Sequence, residues 1–299
     1  MTRPMYRGRF APSPTGPLHF GSLVAAVGSF LEARARRGEW LVRIEDLDPP
    51  REPAGAAGDI LRTLDAFGLH WDGEVVYQSR RQGAYEAALA ELRRLGVLYA
   101  CGCTRREIAD SAVAGVDGPV YPGTCRNGVP AGREGRTLRV RTDDAAIAFE
   151  DRMQGRVESR LERDVGDFVL RRADGFYAYQ LAVVVDDAAQ GVNDVVRGAD
   201  LLGSTARQIH LQRLLGLPTP AYAHLPIAVD AEGAKLSKQT GAEPVRIEHA
   251  SELWWDALWF LGQEPPADLR TAPVAVIRDW AIAHWHAAAV PRTAAMRFP

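Results

Sequence analysis

Lysine is almost missing from this chain. Of its 36 basic residues only Lys235 and Lys238 are lysine, and both fall in one short stretch. Every other basic side chain is a planar guanidinium, which favours one fixed geometry. A chemistry that must follow phosphate oxygens as they move finds its flexible ammonium groups only there. Cysteine is nearly as scarce: Cys101, Cys103 and Cys125 lie in a single segment. An odd number so confined argues against a disulfide framework and leaves a metal site or buried thiols. No histidine lies between His70 and His210, so that segment has no imidazole of its own. No apolar run is long enough to span a bilayer, and no basic region followed by an apolar one opens the chain, so we expect a cytoplasmic protein without a membrane partner. A Gly-Lys-Ser/Thr element is also absent, which argues against a generic P-loop ATPase. Net charge is −2, so any nucleic-acid surface must be a local patch.

What is present is ample for a core. The 299 residues are 46% hydrophobic and 25% charged, which suits one large domain with an insertion or a tail. The stretch from Arg7 to Ser22 reads as a strand ending at Arg9-Phe10-Ala11, a tight turn rich in Pro, Ser and Gly, and the start of a helix running to about Arg37. A helix N-terminus placed there offers unpaired N–H groups to phosphate. Gly16 and Gly21 allow close approach, and His19 falls in the first turn. Residues 40–45 form a second strand, with Glu45, Asp46 and Asp48 at the carboxyl edge where ligands sit in open α/β sheets. Helices are expected over 58–68, 81–95 and 204–215, and strands over 75–77, 138–141, 166–171 and 225–230. The apolar run 177–187 ends in Asp186-Asp187 and is read as a mirror of the strand that ends at Glu45. Val195 to Gly198 adds another strand end.

In the segment 101–125, Cys-Gly-Cys is followed by Tyr121-Pro-Gly-Thr-Cys125. Three thiolates make a credible zinc site but leave the fourth ligand open among Tyr121, Asp117, Glu107 or water; three ordinary buried thiols fit the spacing equally well. Arg133, Arg136, Arg139, Arg141, Arg152, Arg156, Arg160 and Arg163 give the same region a basic bias suited to phosphate contact. His210 and His224 carry no metal-ligand spacing and read as core or surface residues. Beyond Gly241 short helices rich in tryptophan follow, and the spacing of Trp255 and Trp259 suggests a packing face.

His19-Phe-Gly-Ser22 resembles the HIGH element of the class I aminoacyl-tRNA synthetases, and Lys235-Leu-Ser-Lys-Gln239 resembles their KMSKS loop. Phe10-Ala-Pro-Ser-Pro-Thr-Gly16 and Arg43-Ile-Glu-Asp-Leu-Asp48 narrow the likeness to the glutamyl branch. Only residues 242–299 follow the lysine loop, a length similar to that of the truncated glutamyl-queuosine tRNA(Asp) synthetases, which carry no anticodon-binding domain. The resemblance implies an α/β fold: a Rossmann-like parallel-sheet domain in two halves (1–100 and 166–241), a zinc-bearing insertion (101–165) and a short helical region (242–299). It implies ATP handled by His19, Gly21, Lys235 and Lys238, with Mg²⁺ accompanying the ATP. L-glutamate would be held by Arg9, Ser13, Glu45, Tyr179 and Arg197, with Glu45 on its amino group. Structural zinc would sit on Cys101, Cys103, Cys125 and Tyr121. The acceptor it implies is queuosine in tRNA(Asp), served by a monomer.

Overall fold

The computed structural model describes residues 5–111, 113–115, 118–235 and 243–298. Strand β1 (Arg7–Phe10), helix α1 (Phe20–Ala35) and strand β2 (Glu39–Ile44) open the chain, with β1 and β2 parallel from Arg7 opposite Glu39 to Phe10 opposite Val42. Helix α2 (Ala56–Ala66) buries Ile60 and Leu64 and leaves Asp59, Arg62 and Asp65 in solvent, the one-sided pattern of a helix covering a sheet. It leads to β3 (Val76–Tyr77), parallel to β2, and then to helix α3 (Gln82–Arg94).

The middle of the chain is antiparallel. Strand β4 (Leu98–Cys101) is followed by helix α4 (Arg105–Ser111), the ribbon β5 (Ala114–Gly115) and β6 (Gly118–Pro119), and strands β7 (Thr137–Val140), β8 (Ala146–Asp151) and β9 (Gly155–Arg160). The one-turn α5 (Leu161–Asp164) and strand β10 (Phe168–Arg171) complete it. β7 lies between β4 and β10, and β8 pairs with β9.

Helix α6 (Tyr179–Ala189), β11 (Asp194–Gly198), α7 (Ser204–Leu215) and β12 (Ala221–Leu225) restore the alternating pattern, with β11 and β12 parallel. β11 lies beside β1: Asn193 N–H donates to the Arg7 carbonyl at 3.1 Å, and Arg7 N–H to Asn193 Oδ1 at 2.9 Å. The parallel strands thus run β3, β2, β1, β11, β12, reversing direction of growth between β1 and β11. Crevices at such a reversal, on the carboxyl edge, are where open α/β sheets bind ligands. Gly28 lets α1 settle onto this sheet, because a Cβ there would stand 2.6 Å from Leu225 Cδ1.

After strand β13 (Ile227–Val229) come helices α8 (Ala250–Phe260) and α9 (Val274–His284) and strand β14 (Ala295–Arg297), which pairs in parallel with β13. Phe298 then stacks on Phe20, the first residue of α1, with ring centroids 3.7 Å apart. α1 is covered on both sides by these layers, which is why most of its residues are buried.

Four expectations need correction. The run 177–187 is not a strand; it is mostly α6. An all-apolar run carries no period that separates strand from helix, and here both sides of the element are covered, with Leu181 to Val184 and Asp186-Asp187 all buried. The strand expected over 225–230 is broken at Pro226, whose missing N–H ends the ladder of β12. Trp259 does not pack: it is 60% exposed, and the buried stripe of α8 is Ala250, Trp254, Ala257 and Leu258. The arginines of the middle region are largely neutralised by neighbours, Arg133 by Glu107, Arg136 by Glu134, Arg156 by Glu150, and Arg160 and Arg163 by Asp144, while Arg139 is buried. Among the described residues no helix is long and apolar enough to cross a membrane.

Candidate active site and a cysteine cluster

A cavity of about 410 Å³ opens at the reversal of the parallel sheet. Arg9 and Phe10 reach it from the end of β1, Glu45 from just past β2, Val196 to Gly198 from β11, Leu225 from β12, and His19, Gly21 and Ser22 from the start of α1. Ser13, Tyr179 and Lys235 complete the set expected from the sequence. Lys238 lies outside the described residues, as does Asp117.

The charges in the wall are interlocked. Arg9 presents Nε and Nη2 to the two oxygens of Asp187 at 3.1 and 3.4 Å. Arg43, with no exposed surface, donates from Nη1 to Asp187 at 2.7 Å and from Nη2 to Glu45 at 3.3 Å. Burial pushes the Glu45 carboxyl up, against the pull of Arg43 and Arg9. Burial would raise Asp187 too, but Arg9 and Arg43 together hold it below the usual carboxylate range. The adjacent Asp186 is taken by Arg81, Tyr85 and Gln78 on the other side of α6. Around the cavity, the guanidiniums of Arg9, Arg43 and Arg197 therefore face the carboxylates of Glu45 and Asp187. The balance is one positive charge, complementary to an amino acid with two carboxylates and one ammonium.

Arg197 is fixed from three sides. Its Nη1 donates to the Tyr179 hydroxyl at 3.2 Å, Nη2 to Thr205 Oγ1 at 2.9 Å, and Nε to His224 Nε2 at 3.0 Å. Burial pushes the Tyr179 pKa up, so this hydroxyl stays protonated and has a hydrogen to give. His224 in turn meets Asp151 at 2.6 Å. Arg43, Asp187, Asp151 and His224 were not among the site residues expected from the sequence. Arg43 opens the Arg43-to-Asp48 element read from the sequence, and the acidic end of 177–187 hinted at Asp187.

His19 is the N-cap of α1. Its Nδ1 accepts from Ser22 N–H at 3.3 Å and Ser22 Oγ accepts from His19 N–H at 3.3 Å, a reciprocal capping box. With Nδ1 accepting, the neutral ring carries its proton on Nε2. Lys235 Nζ lies 2.6 Å from Asp200, another wall residue. On the far side of the lysine stretch, Pro244 bridges to His19 and Val245 N–H donates to Leu18 O at 2.9 Å. The flank after the stretch is thus anchored beside the first turn of α1, and the flank before it on Val229 and Asp200.

Away from this cavity, the sulfurs of Cys101, Cys103 and Cys125 all lie within 4.8 Å of one another and can hold a metal ion. Cys103 and Cys125 are 3.6 Å apart, and Tyr121 Oη lies 3.3 Å from Cys101 and 3.8 Å from Cys103. Tetrahedral zinc with its usual bond lengths requires about 3.8 Å between sulfurs and about 3.6 Å from sulfur to oxygen, and the Cys103–Cys125 and two Tyr121–sulfur distances lie close to these values. Cys101 ends β4, and the turn containing Tyr121 and Cys125 folds back over it. Arg139 of β7 lies over the Tyr121 ring, its guanidinium carbon 3.9 Å from the centroid. Among the described residues this is the only group of three or more Cys, His, Asp or Glu able to hold a metal.

Over residues 5–258 the sequence matches the family of class I tRNA synthetases (E and Q), catalytic domain. A glutamyl-Q tRNA(Asp) synthetase of Dechloromonas aromatica (strain RCB) is 61% identical over 296 residues, 98% of each chain. One of Pseudomonas aeruginosa (strain LESB58) is 52% identical over 291 residues, 97% of each chain. The crystal structure of a glutamate tRNA ligase from Elizabethkingia meningosepticum CCUG26117 in complex with its amino acid has the same fold, with a TM-score of 0.80 at 23% identity, covering 98% of this chain and 67% of that one. With that extent of identity over almost the whole length, the chain belongs to the glutamyl-Q tRNA(Asp) synthetases, within the class I tRNA synthetase (E and Q) family.

Proposed function

We propose that the chain activates L-glutamate with ATP, without tRNA, and passes the glutamyl group to queuosine at the wobble position of tRNA(Asp). The observation that carries this reading is the single cavity in which an amino-acid-like charge pattern meets a helix N-terminus and a lysine. Glutamate fits with its ammonium on Glu45 and its carboxylates towards Arg9 and Arg197, Tyr179 and Ser13 donating hydroxyls. ATP then lies along the first turn of α1. An oxygen of the α-carboxylate attacks the α-phosphorus, the bond to the β-phosphate bridging oxygen breaks, and pyrophosphate leaves. His19 Nε2–H and the backbone at Gly21 hold phosphate oxygens, while Lys235 and Lys238 follow the charge that develops on the leaving group. Mg²⁺ would accompany the ATP and help to neutralise its phosphate charge. In the second step a hydroxyl of the queuosine cyclopentene diol attacks the activated carbonyl, forming an ester and releasing AMP. All these groups come from one chain, which suits a monomer working in the cytoplasm on tRNA.

Labelled glutamate, ATP and tRNA(Asp) test this directly. Queuosine-bearing tRNA(Asp) is expected to accept label, the same tRNA with guanosine at that position to accept none, and periodate oxidation of the diol to abolish acceptance. Label at the 3′ end of tRNA(Glu) would overturn the choice of acceptor. Absence of glutamate-dependent pyrophosphate exchange would overturn the enzyme reading altogether.

The cysteine cluster supports one structural zinc in the 101–165 insertion, held by Cys101, Cys103, Cys125 and the Tyr121 oxygen. Bound there, it would cross-link β4 to the turn at 121–125 and supply no reacting group. Cys103→Ser should drop metal content, read by elemental analysis, from one zinc per chain to well below one, and should lose transfer to tRNA while keeping much of the exchange activity. Full transfer by a metal-free preparation would contradict this.

A further inference from the structure

Arg197 presents five N–H groups, and His224, Tyr179, Thr205 Oγ1 and the Leu201 carbonyl, the last at 3.4 Å, engage four of them. The remaining one, on Nη1, belongs to the atom that also meets Tyr179 at the cavity wall. Which edge of the guanidinium is offered to a ligand thus depends on what grips the opposite side, and that grip is His224. Because Nε2 accepts from Arg197 Nε–H, the imidazole must carry its proton on Nδ1, and Nδ1–H donates to Asp151 Oδ2. Asp151 is itself locked, its Oδ1 accepting from the backbone of Met153, Gln154 and His224 at 2.9 to 3.1 Å. All three side chains, Asp151, His224 and Arg197, are buried.

We propose that His224, oriented by Asp151, is a positioning residue for amino-acid selection: its Nε2 lone pair aims the Arg197 guanidinium at a substrate carboxylate. This rests on the assignment of Arg197 to glutamate. The arrangement is sensitive to protonation, because a proton on Nε2 would set N–H against N–H and charge against charge. The groups facing the ring are Asp151 on β8, Arg197 on β11, Asp200 in the turn after β11, Thr205 at the start of α7, and Tyr222 on its own strand, stacked at 6.2 Å. Burial holds the imidazole below its ordinary value and Asp151 pulls the other way. Burial would raise Asp151, but its bonds to the His224 ring and to the backbone of Gln154 and His224 together hold it at about 2. The aligned state is therefore complete above pH 6.5 and is lost as pH falls through the lowered His224 value.

The test is glutamate-dependent pyrophosphate exchange without tRNA, with KM for glutamate and kcat measured from pH 5 to 8. H224A is expected to raise KM about 10- to 100-fold at pH 7.5, the scale of a lost hydrogen bond to a charged group, with little change in kcat. H224Q keeps an acceptor near the place of Nε2 and cannot titrate, so it should restore KM to within about threefold. Its KM should also rise less on acidification than wild type, what remains being the share of Glu45. If H224A does not fold, the wild-type and H224Q profiles decide. Wild-type KM in H224A, an H224Q as impaired as H224A, or superimposable pH profiles would overturn the proposal. A wild-type protein with no glutamate-dependent exchange would instead remove the assignment of Arg197 on which it rests.

Discussion

Arg43→Met should destabilise the chain by about 3–5 kcal/mol, the range for removing one partner of a buried ion network. Methionine fills much of the volume, so what is lost is charge. Asp187 would keep only Arg9, and Glu45 would lose its one guanidinium partner within hydrogen-bond distance. Both carboxylates are buried, where an uncompensated charge is far more costly than at the surface. Against a total stability of roughly 5–15 kcal/mol this is a large fraction. The denaturation midpoint in urea reads it. The sign of its pH dependence is distinctive: Asp187 sits below its ordinary value because Arg9 and Arg43 hold it there, so without Arg43 it should protonate more readily. The gap between variant and wild type should narrow as pH falls from 7 towards 4. A midpoint unchanged at pH 7 would mean that the network contributes only orientation.

Changing Lys235 and Lys238 together to alanine should nearly abolish glutamate-dependent exchange while leaving the KM for glutamate close to wild type. Each ammonium is expected to act on the departing phosphates, and losing one donor of that kind costs roughly a hundredfold or more in rate. Lys235 now rests on Asp200, a contact it would exchange for phosphate as ATP enters. Arginine at both positions should rescue poorly, because a planar fork does not track a moving group as a short-headed ammonium does. Near wild-type exchange by the double alanine variant would remove the lysine stretch from the chemistry.

How far these features were readable from residues alone varies with distance along the chain. The unit β1, α1, β2 is local: its punctuation at Pro12, Pro14, Gly16 and Pro17 and the periodicity of Leu23, Val27, Phe30 and Leu31 specify it without outside help. The cysteine cluster was legible because its members are near neighbours in sequence. Helix α6 was not, since covering on both faces erased the amphipathic signal that separates helix from strand. Nor were the partners of the recognised arginines. Arg9 meets Asp187 across 178 positions, Arg43 meets it across 144, and His224 meets Asp151 across 73. Each of these residues looks ordinary in its own neighbourhood, and only the packed sheet makes it part of a site. Trp259 failed for the opposite reason. Its apolar size suggested burial, but its place on α8 turns it outward, away from the face that carries Trp254.

The strand β14 and the stacking of Phe298 on Phe20 tie the timing of this protein's birth to its architecture. A chain emerging residue by residue from a ribosome can assemble β1, α1 and β2 early, because their contacts are local. The aromatic lid over the first turn of α1, one residue from the His19 cap, cannot be set until the 298th residue is free. The Phe20 ring at the start of α1 therefore waits, on the side that Phe298 covers, until a residue 278 positions further along has been made.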